Sequence, residues 1–152
     1  MPLKKILAIA TLANFVVMNL VYLGLPGTGI TIIYLQFAFT PERAQEILSL
    51  WGEPGQTLFL NTLYLDYIFP ILYGYLLVIA TLKTKRKALL LVAFIAPIAD
   101  IIENSIHYAI IKQNVSPEAI LWSSIAASIK WVAILTILMS VLHSHIKKRT
   151  KA

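Results

Sequence analysis

The chain has no cysteine, so it forms no disulfide, carries no thiolate nucleophile and offers no zinc-thiolate site. Charge is scarce as well: 13% of its 152 residues are Asp, Glu, Lys or Arg, where a soluble domain carries about 25%. Only seven residues are acids, while 59% of the chain is hydrophobic. So few charges cannot cover the apolar surface of such a chain in water. These shortages exclude a secreted disulfide scaffold, a disordered tail and a cytosolic enzyme, and they place the chain in lipid. No repeat, low-complexity tract or linker divides it, so residues 1–152 are expected to form a single integral membrane domain.

Crossing a hydrocarbon layer of roughly 30 Å takes about 20 apolar residues. Runs of that kind occur at about residues 6–24, 58–82, 88–111 and 119–142. The expected fold is an all-α membrane protein, a bundle of four transmembrane helices. Ten of the thirteen bases lie on one side of these spans: Lys4 and Lys5 before the first, Lys83, Lys85, Arg86 and Lys87 between the second and third, and Lys147, Lys148, Arg149 and Lys151 after the fourth. The other connections hold Glu42, Arg43, Glu46, Glu53, Lys112 and Glu118, a net acidic set. By the positive-inside bias both termini face the cytoplasm. The net charge of +6 is therefore a topology signal, and no nucleic-acid partner is expected. The expected location is a bacterial inner membrane, or an endomembrane if the chain is eukaryotic. Residues 1–24 also have the lysines and apolar core of a signal peptide. That run is long and no small-x-small site follows cleanly, so a retained first helix is expected.

The long outer connection, about residues 25–55, carries its own signals. Thr40-Pro41-Glu42 reads as an N-cap, a first-turn proline and an acid at the positive end of a helix that Gly52 and Pro54 stop. Ala44, Ile47, Leu48 and Trp51 share one face of it, with the charged residues largely off that face. A helix over about 41–52 is expected to lie flat at the membrane interface, with Trp51 near the headgroups. Residues 29–39 are apolar and β-branched, consistent with an extended or a re-entrant segment. Ser116-Pro117-Glu118 opens the fourth span in the same way as Thr40-Pro41-Glu42 opens this helix.

Five ionisable residues fall inside the spans: Asp66, Asp100, Glu103, His107 and Lys130. A charged side chain at mid-membrane costs on the order of 2.5–3.5 kcal/mol even on the lenient insertion scale, so each needs a partner or water. Asp100, Glu103, Asn104 and His107 fall on one face of the third helix, opposite Leu91, Ile95, Ile102 and Ile106. Thr62, Asp66, Pro70, Tyr73 and Leu77 share a stripe of the second. Ser123, Ala126, Ala127 and Ala133 stack near Lys130 on the fourth, and Asn19 lies with Phe15 and Tyr22 on the first. Pro70 removes the amide that would bond the carbonyl of Asp66, and Pro97 does the same to Ala93; such backbone is tolerated where it is buried or lines a cavity. These placements predict an outward-opening acidic pocket beneath the 25–55 connection. Its expected lining residues are Asp66, Asp100, Glu103, Asn104, His107, Lys130, Tyr73, Asn19, Thr62 and Ser123.

Close carboxylates in low dielectric cannot all ionise, so the site holds a proton or attracts a cation. The simplest alternative is an ion pair of Lys130 with Asp100 or Glu103 that fixes two helices, which leaves Asp66 and His107 without a role. No metal is assigned, because the di-iron pattern needs Glu-x-x-His and Glu103 and His107 are four apart. His107 is the only histidine within a span, so no haem is expected, and no cofactor is assigned. No Ser/His/Asp signature or nucleotide-binding glycine loop is present.

Leu35-Gln36, Pro41, Trp51, and Leu65-Asp66 followed by Phe69-Pro70, set in four spans with a long first outer connection, resemble the EXPERA family. That family includes sigma-2-receptor-like and emopamil-binding-protein-like membrane proteins. The resemblance implies a bundle whose intramembrane acids hold a protonated amine or shuttle a proton in a sterol double-bond shift, with Asp66 as the acid of the second helix. Tyr34 stands where sigma-2-like members carry an aspartate.

Three functions remain open. The pocket binds a small cationic or amphipathic ligand or a proton, as a receptor or a transporter, the latter needing a homodimer from so short a chain. Alternatively, the protein is a lipid or sterol-like isomerase in which Asp66, Asp100 or Glu103 serve as acid and base and His107 as relay. In the third reading it is an assembly or accessory subunit. Membrane lipids are expected partners in all three.

Overall fold

The structure, a computed structural model, describes residues 2–27, 30–82, 84, 86–113 and 116–149, with backbone alone for His145, Lys148 and Arg149. Lys83, Lys85 and Lys151, on which part of the expected orientation rests, and Gly29 lie outside the described residues. Among the described residues there are five helices and no strand: α1 (Leu3–Tyr22), α2 (Ile30–Gln36), α3 (Pro41–Leu82), α4 (Lys87–Gln113) and α5 (Pro117–Arg149). Four of them, α1, α3, α4 and α5, are long and apolar enough to cross a membrane, an architecture compatible with an integral multi-pass protein.

Both proline-acid signals mark helix starts. Thr40 Oγ1 accepts the Arg43 N–H at 3.4 Å as α3 begins at Pro41, and α5 begins at Pro117. Gly52 ends the first limb of α3, as expected, and a second helical limb follows across the kink; its φ 58° and ψ −175° are a backbone conformation open essentially to glycine alone. Pro54 then occupies the first turn of the second limb, where its missing amide has no partner to lose.

Two expectations for the outer connection are corrected. The stripe of the 41–51 arm faces protein instead of headgroups: Ala44, Ile47 and Trp51 are buried, with Leu48 half-buried beside them. Trp51 is a core residue, its ring 5.3 Å from that of Phe59 and its Nε1–H donated to Thr31 Oγ1 at 2.8 Å. The segment expected as extended or re-entrant forms α2 over residues 30–36. Its β-branched residues disfavour a helix only weakly, and the Trp51–Thr31 bond together with burial of Leu35 outweighs that preference.

Packing is most extensive between α4 and α5, then between α3 and α4, while α1 is held by α3. Two apolar layers result. One, at the end of the bundle where α2 packs, joins Met18, Leu35, Trp51, Phe59, Leu63, Ile110 and Ile120. The other joins Tyr73, Leu77, Ala93, Ala96, Ala133 and Ile137, where alanines let the helices approach closely. Along α3, α4 and α5 alike, the ionisable residues fall between these layers. Leu91, Ile95 and Ile102 point away from the bundle, as the helical period requires.

α3 and α4 approach closely at Gly74. A Cβ there would lie 2.9 Å from Cγ of Pro97, a rigid ring that cannot rotate away. Gly74→Ala is expected to lower stability by about 1–3 kcal/mol, the range of an overpacked core, read as a lower thermal midpoint of the purified protein in lipid nanodiscs.

Candidate functional site

Three helices bring the charges together. Lys130 of α5 reaches across to α4, where its Nζ donates to Asp100 Oδ1 at 3.1 Å and pairs with Glu103 Oε2 at 2.6 Å. All three residues are buried. Asp100 and Glu103 are three positions apart, so α4 presents both carboxylates on one face and a single ammonium lies between them. Asp100 Oδ2 accepts the hydroxyl of Tyr73 from α3 at 2.9 Å. The expected ion pair therefore exists, and it engages both acids of α4 at once.

Glu103 continues the polar layer along α4 towards His107. It is 0% exposed, and its Oε1 has no hydrogen-bond partner among the described residues. The ring nitrogen Nδ1 of His107 lies 3.9 Å from that oxygen. His107 Nε2 shares a hydrogen bond of 2.7 Å with Ser123 Oγ of α5, and its ring stands edge-on to Phe59, 6.1 Å away. Among the described residues His107 is thus hydrogen-bonded to Ser123 alone, and its other ring nitrogen stops short of hydrogen-bond distance from Glu103; the serine partner was not legible in sequence order because it lies on another helix.

Among the described residues, the Asp66 carboxylate has no direct hydrogen bond or ion pair to these groups. Its Oδ2 accepts the Tyr22 hydroxyl of α1, and no cationic side chain among the described residues pairs with it within 4.0 Å. Its backbone carbonyl, freed by Pro70, accepts Asn104 Nδ2 at 3.0 Å. The proline-induced vacancy in α3 is thus filled by a side chain of α4, which docks the two helices at the level of the acid.

A cavity of about 600 Å³ joins these groups, a volume typical of small-molecule sites. Asp66, Tyr73, Asp100, Asn104, His107 and Lys130 supply its polar wall, and Asn19 lies on its α1 side, with Nδ2 donated to Phe15 O. Glu103 sits behind that wall, as does Ser123. Thr62 turns its hydroxyl to the carbonyls of Leu58 and Phe59 and does not line the cavity. α2 covers one side with Ile30, Ile32, Ile33 and Gln36. It is tied to α5 by Trp131 Nε1 donating to Gln36 Oε1 at 3.1 Å and, just beyond its end, by Phe39 N–H donating to Ser124 Oγ at 3.0 Å.

Sequence reasoning did not assign roles to Tyr22, Phe59, Phe69, Gln36 and Trp131, all of which line the cavity. A signal existed for two of them: Phe59 and Phe69 lie seven before and three after Asp66, on its own face of α3. Among the described residues, no three histidine or carboxylate side chains come together so as to hold a metal ion. The chemistry on offer is binding of a cation against an apolar wall, with proton transfer through His107 as the second capability.

Asn104→Leu is expected to leave the Asp66 carbonyl unpaired and cost about 1–3 kcal/mol. Adding Pro70→Ala restores a helical amide for that carbonyl, so the double variant should recover part of the loss. Thermal unfolding of the four proteins checks this as a double-mutant cycle; strict additivity would contradict the pairing.

No family model, curated protein or solved structure matches this chain.

Proposed function

We propose that the protein binds a small cationic amphipath within the bilayer, with Asp66 as its counter-ion, and so acts as a receptor or as the binding unit of a transporter. One observation carries this reading. Lys130 is engaged by Asp100 and Glu103, which leaves Asp66 as the cavity carboxylate with a hydroxyl donor and no cationic partner among the described residues. A buried carboxylate in apolar surroundings is costly alone and attracts positive charge. The cavity's remaining wall is largely aliphatic and aromatic, which suits an apolar body attached to the cation. The resemblance to the EXPERA family points the same way, since it matches Asp66 to an amine-holding acid. In this reading the termini and the 82–87 connection face the cytoplasm, the arm over residues 41–51 rests at the outer interface, and a transporter would use two copies.

A second reading, a lipid or sterol-like isomerase, is favoured by His107, which lines the cavity and is hydrogen-bonded to Ser123 Oγ. An imidazole can receive and return a proton, as a double-bond shift requires. The two readings separate by outcome, since His107→Gln would stop turnover in an isomerase and leave binding of a cation at Asp66 in place.

The test uses protein in nanodiscs titrated with dodecyldimethylamine, dodecanol or dodecanoate. The amine is expected to raise the thermal midpoint and the other two are not. Asp66→Asn should weaken amine binding at least tenfold, about 1.4 kcal/mol. Equal amine binding by wild type and Asp66→Asn would overturn the proposal.

A further inference from the structure

The end of α2 lies at membrane depth. Trp131, whose indole N–H is donated to Gln36 Oε1 at 3.1 Å, is fourteen positions from Pro117 and thirteen from Ser144, the ends of the apolar stretch of α5. Backbone at that level needs internal partners, and the residues after α2 have them: Phe37 N–H donates to Ile33 O, Ala38 N–H to Leu35 O, and Thr40 N–H to Ala38 O at 2.7 Å. The last bond closes a three-residue turn around Phe39, whose φ is 56°. That is the rare, strained hand of the γ-turn, and a bulky residue keeps it only where its surroundings impose it. Here the Phe39 N–H is held by Ser124 Oγ of α5 at 3.0 Å.

The two ends of α2 are attached differently. Near its start, Thr31 Oγ1 accepts the Trp51 indole of the 41–51 arm at 2.8 Å and donates to Pro26 O at 3.3 Å. Gly27, a few residues earlier, has φ 84°, which glycine adopts without strain. At its end the attachment is to α5, through Gln36–Trp131 and Phe39–Ser124. Of the seven residues of α2, Thr31 and Leu35 are buried. Acyl chains are as apolar as leucine, so packing gives little preference for one position of such a helix in lipid, and the two bonds to α5 supply it. Breaking them leaves Gln36 and Trp131 without partners in hydrocarbon, which makes the open form a minor state. It also lets Phe39 relax to negative φ.

α2 sits where the cavity meets the lipid. Leu20 and Leu23 of α1, Ile30 and Ile33 of α2 and Trp131 of α5 all line the cavity, yet each is at least 40% exposed. These side chains have the cavity on one side and acyl chains on the other. We infer that α2 is a gate in the lipid-facing wall of the cavity. It pivots about its Thr31 end, its Gln36 end leaves α5, and the cavity opens between α1 and α5 to molecules dissolved in the bilayer. Gln36–Trp131 and Phe39–Ser124 are the latch, and the strain at Phe39 offsets part of the cost of releasing it. The gate acts whatever ligand the cavity holds.

Because the chain has no cysteine, pairs of spin labels can be placed at will. Tyr34→Cys on α2 with Leu142→Cys on α5, both exposed positions, report the gate by double electron–electron resonance in nanodiscs. Tyr108→Cys on α4 with Leu142→Cys reports the bundle itself. Gln36→Leu and Trp131→Phe are each expected to raise the share of a second α2–α5 distance at least about fourfold, with the α4–α5 distance unchanged. Ser124→Ala, which removes a single hydroxyl, should act in the same direction with the smallest disturbance of the fold. Phe39→Gly, which takes the strain out of the closed form, is expected to lower that share when added to Gln36→Leu. One unaltered α2–α5 distance in the three latch variants would overturn the inference. So would a second distance whose share Phe39→Gly increases, or one that appears only together with a changed α4–α5 distance.

Discussion

Everything at the centre of this bundle depends on one ammonium serving two carboxylates. Lys130 reaches between Asp100 and Glu103, and none of the three is accessible enough to be solvated from outside. In hydrocarbon the separate charges would each be costly, whereas together they form a compact cluster whose net charge is that of one acid. The cluster fixes α5 to α4 at a single register, because a one-residue slip would swing Lys130 about 100° away from both partners. Such a cluster is weak evidence for stability, and its better-supported role is specifying how helices meet.

The pairing also determines what is left over. With the lysine engaged on α4, Asp66 on α3 has a tyrosine hydroxyl and, among the described residues, no ion pair. Pro70 and Asn104 position it: the proline opens the carbonyl of Asp66, and the asparagine of α4 closes it again. Apolar layers on either side confine these groups to one level of the bundle, and α2, tied to α5 through Gln36 and Trp131, covers one side of the cavity. The isolation of Asp66 thus follows from the contacts that hold α3, α4 and α5 together.

How much of this was legible in the sequence differs by residue. The four long helices were, since runs of bilayer length admit few other structures. So was the polar face of α4, because Asp100, Glu103, Asn104 and His107 recur at helical spacing. The gathering of Asp66, Asp100 and Lys130 around one void was expected on grounds of cost alone. Less was legible where tertiary contact decided the outcome. Residues 30–36 have strand-like composition, and their helix is accounted for by tertiary contacts, the bond from Trp51 to Thr31 twenty positions away and the burial of Leu35. Trp51 itself satisfied the pattern of an interfacial anchor, and its burial follows from the bend at Gly52 that folds the arm against the bundle. Tyr22 as the donor to Asp66, and Ser123 as the partner of His107, involve pairs from different helices that no local spacing encodes.

The claim that Lys130 pairs with the α4 acids and not with Asp66 is tested most directly by comparing coupling energies. Double-mutant cycles of Lys130→Met with Asp100→Asn, with Glu103→Gln and with Asp66→Asn, read from unfolding of the protein in nanodiscs, separate the three pairs. The account predicts couplings of about 1 kcal/mol or more for the first two and less than about 0.5 kcal/mol for the third. A Lys130–Asp66 coupling as large as the others would contradict it, since the cavity would then contain no carboxylate free to meet a cation.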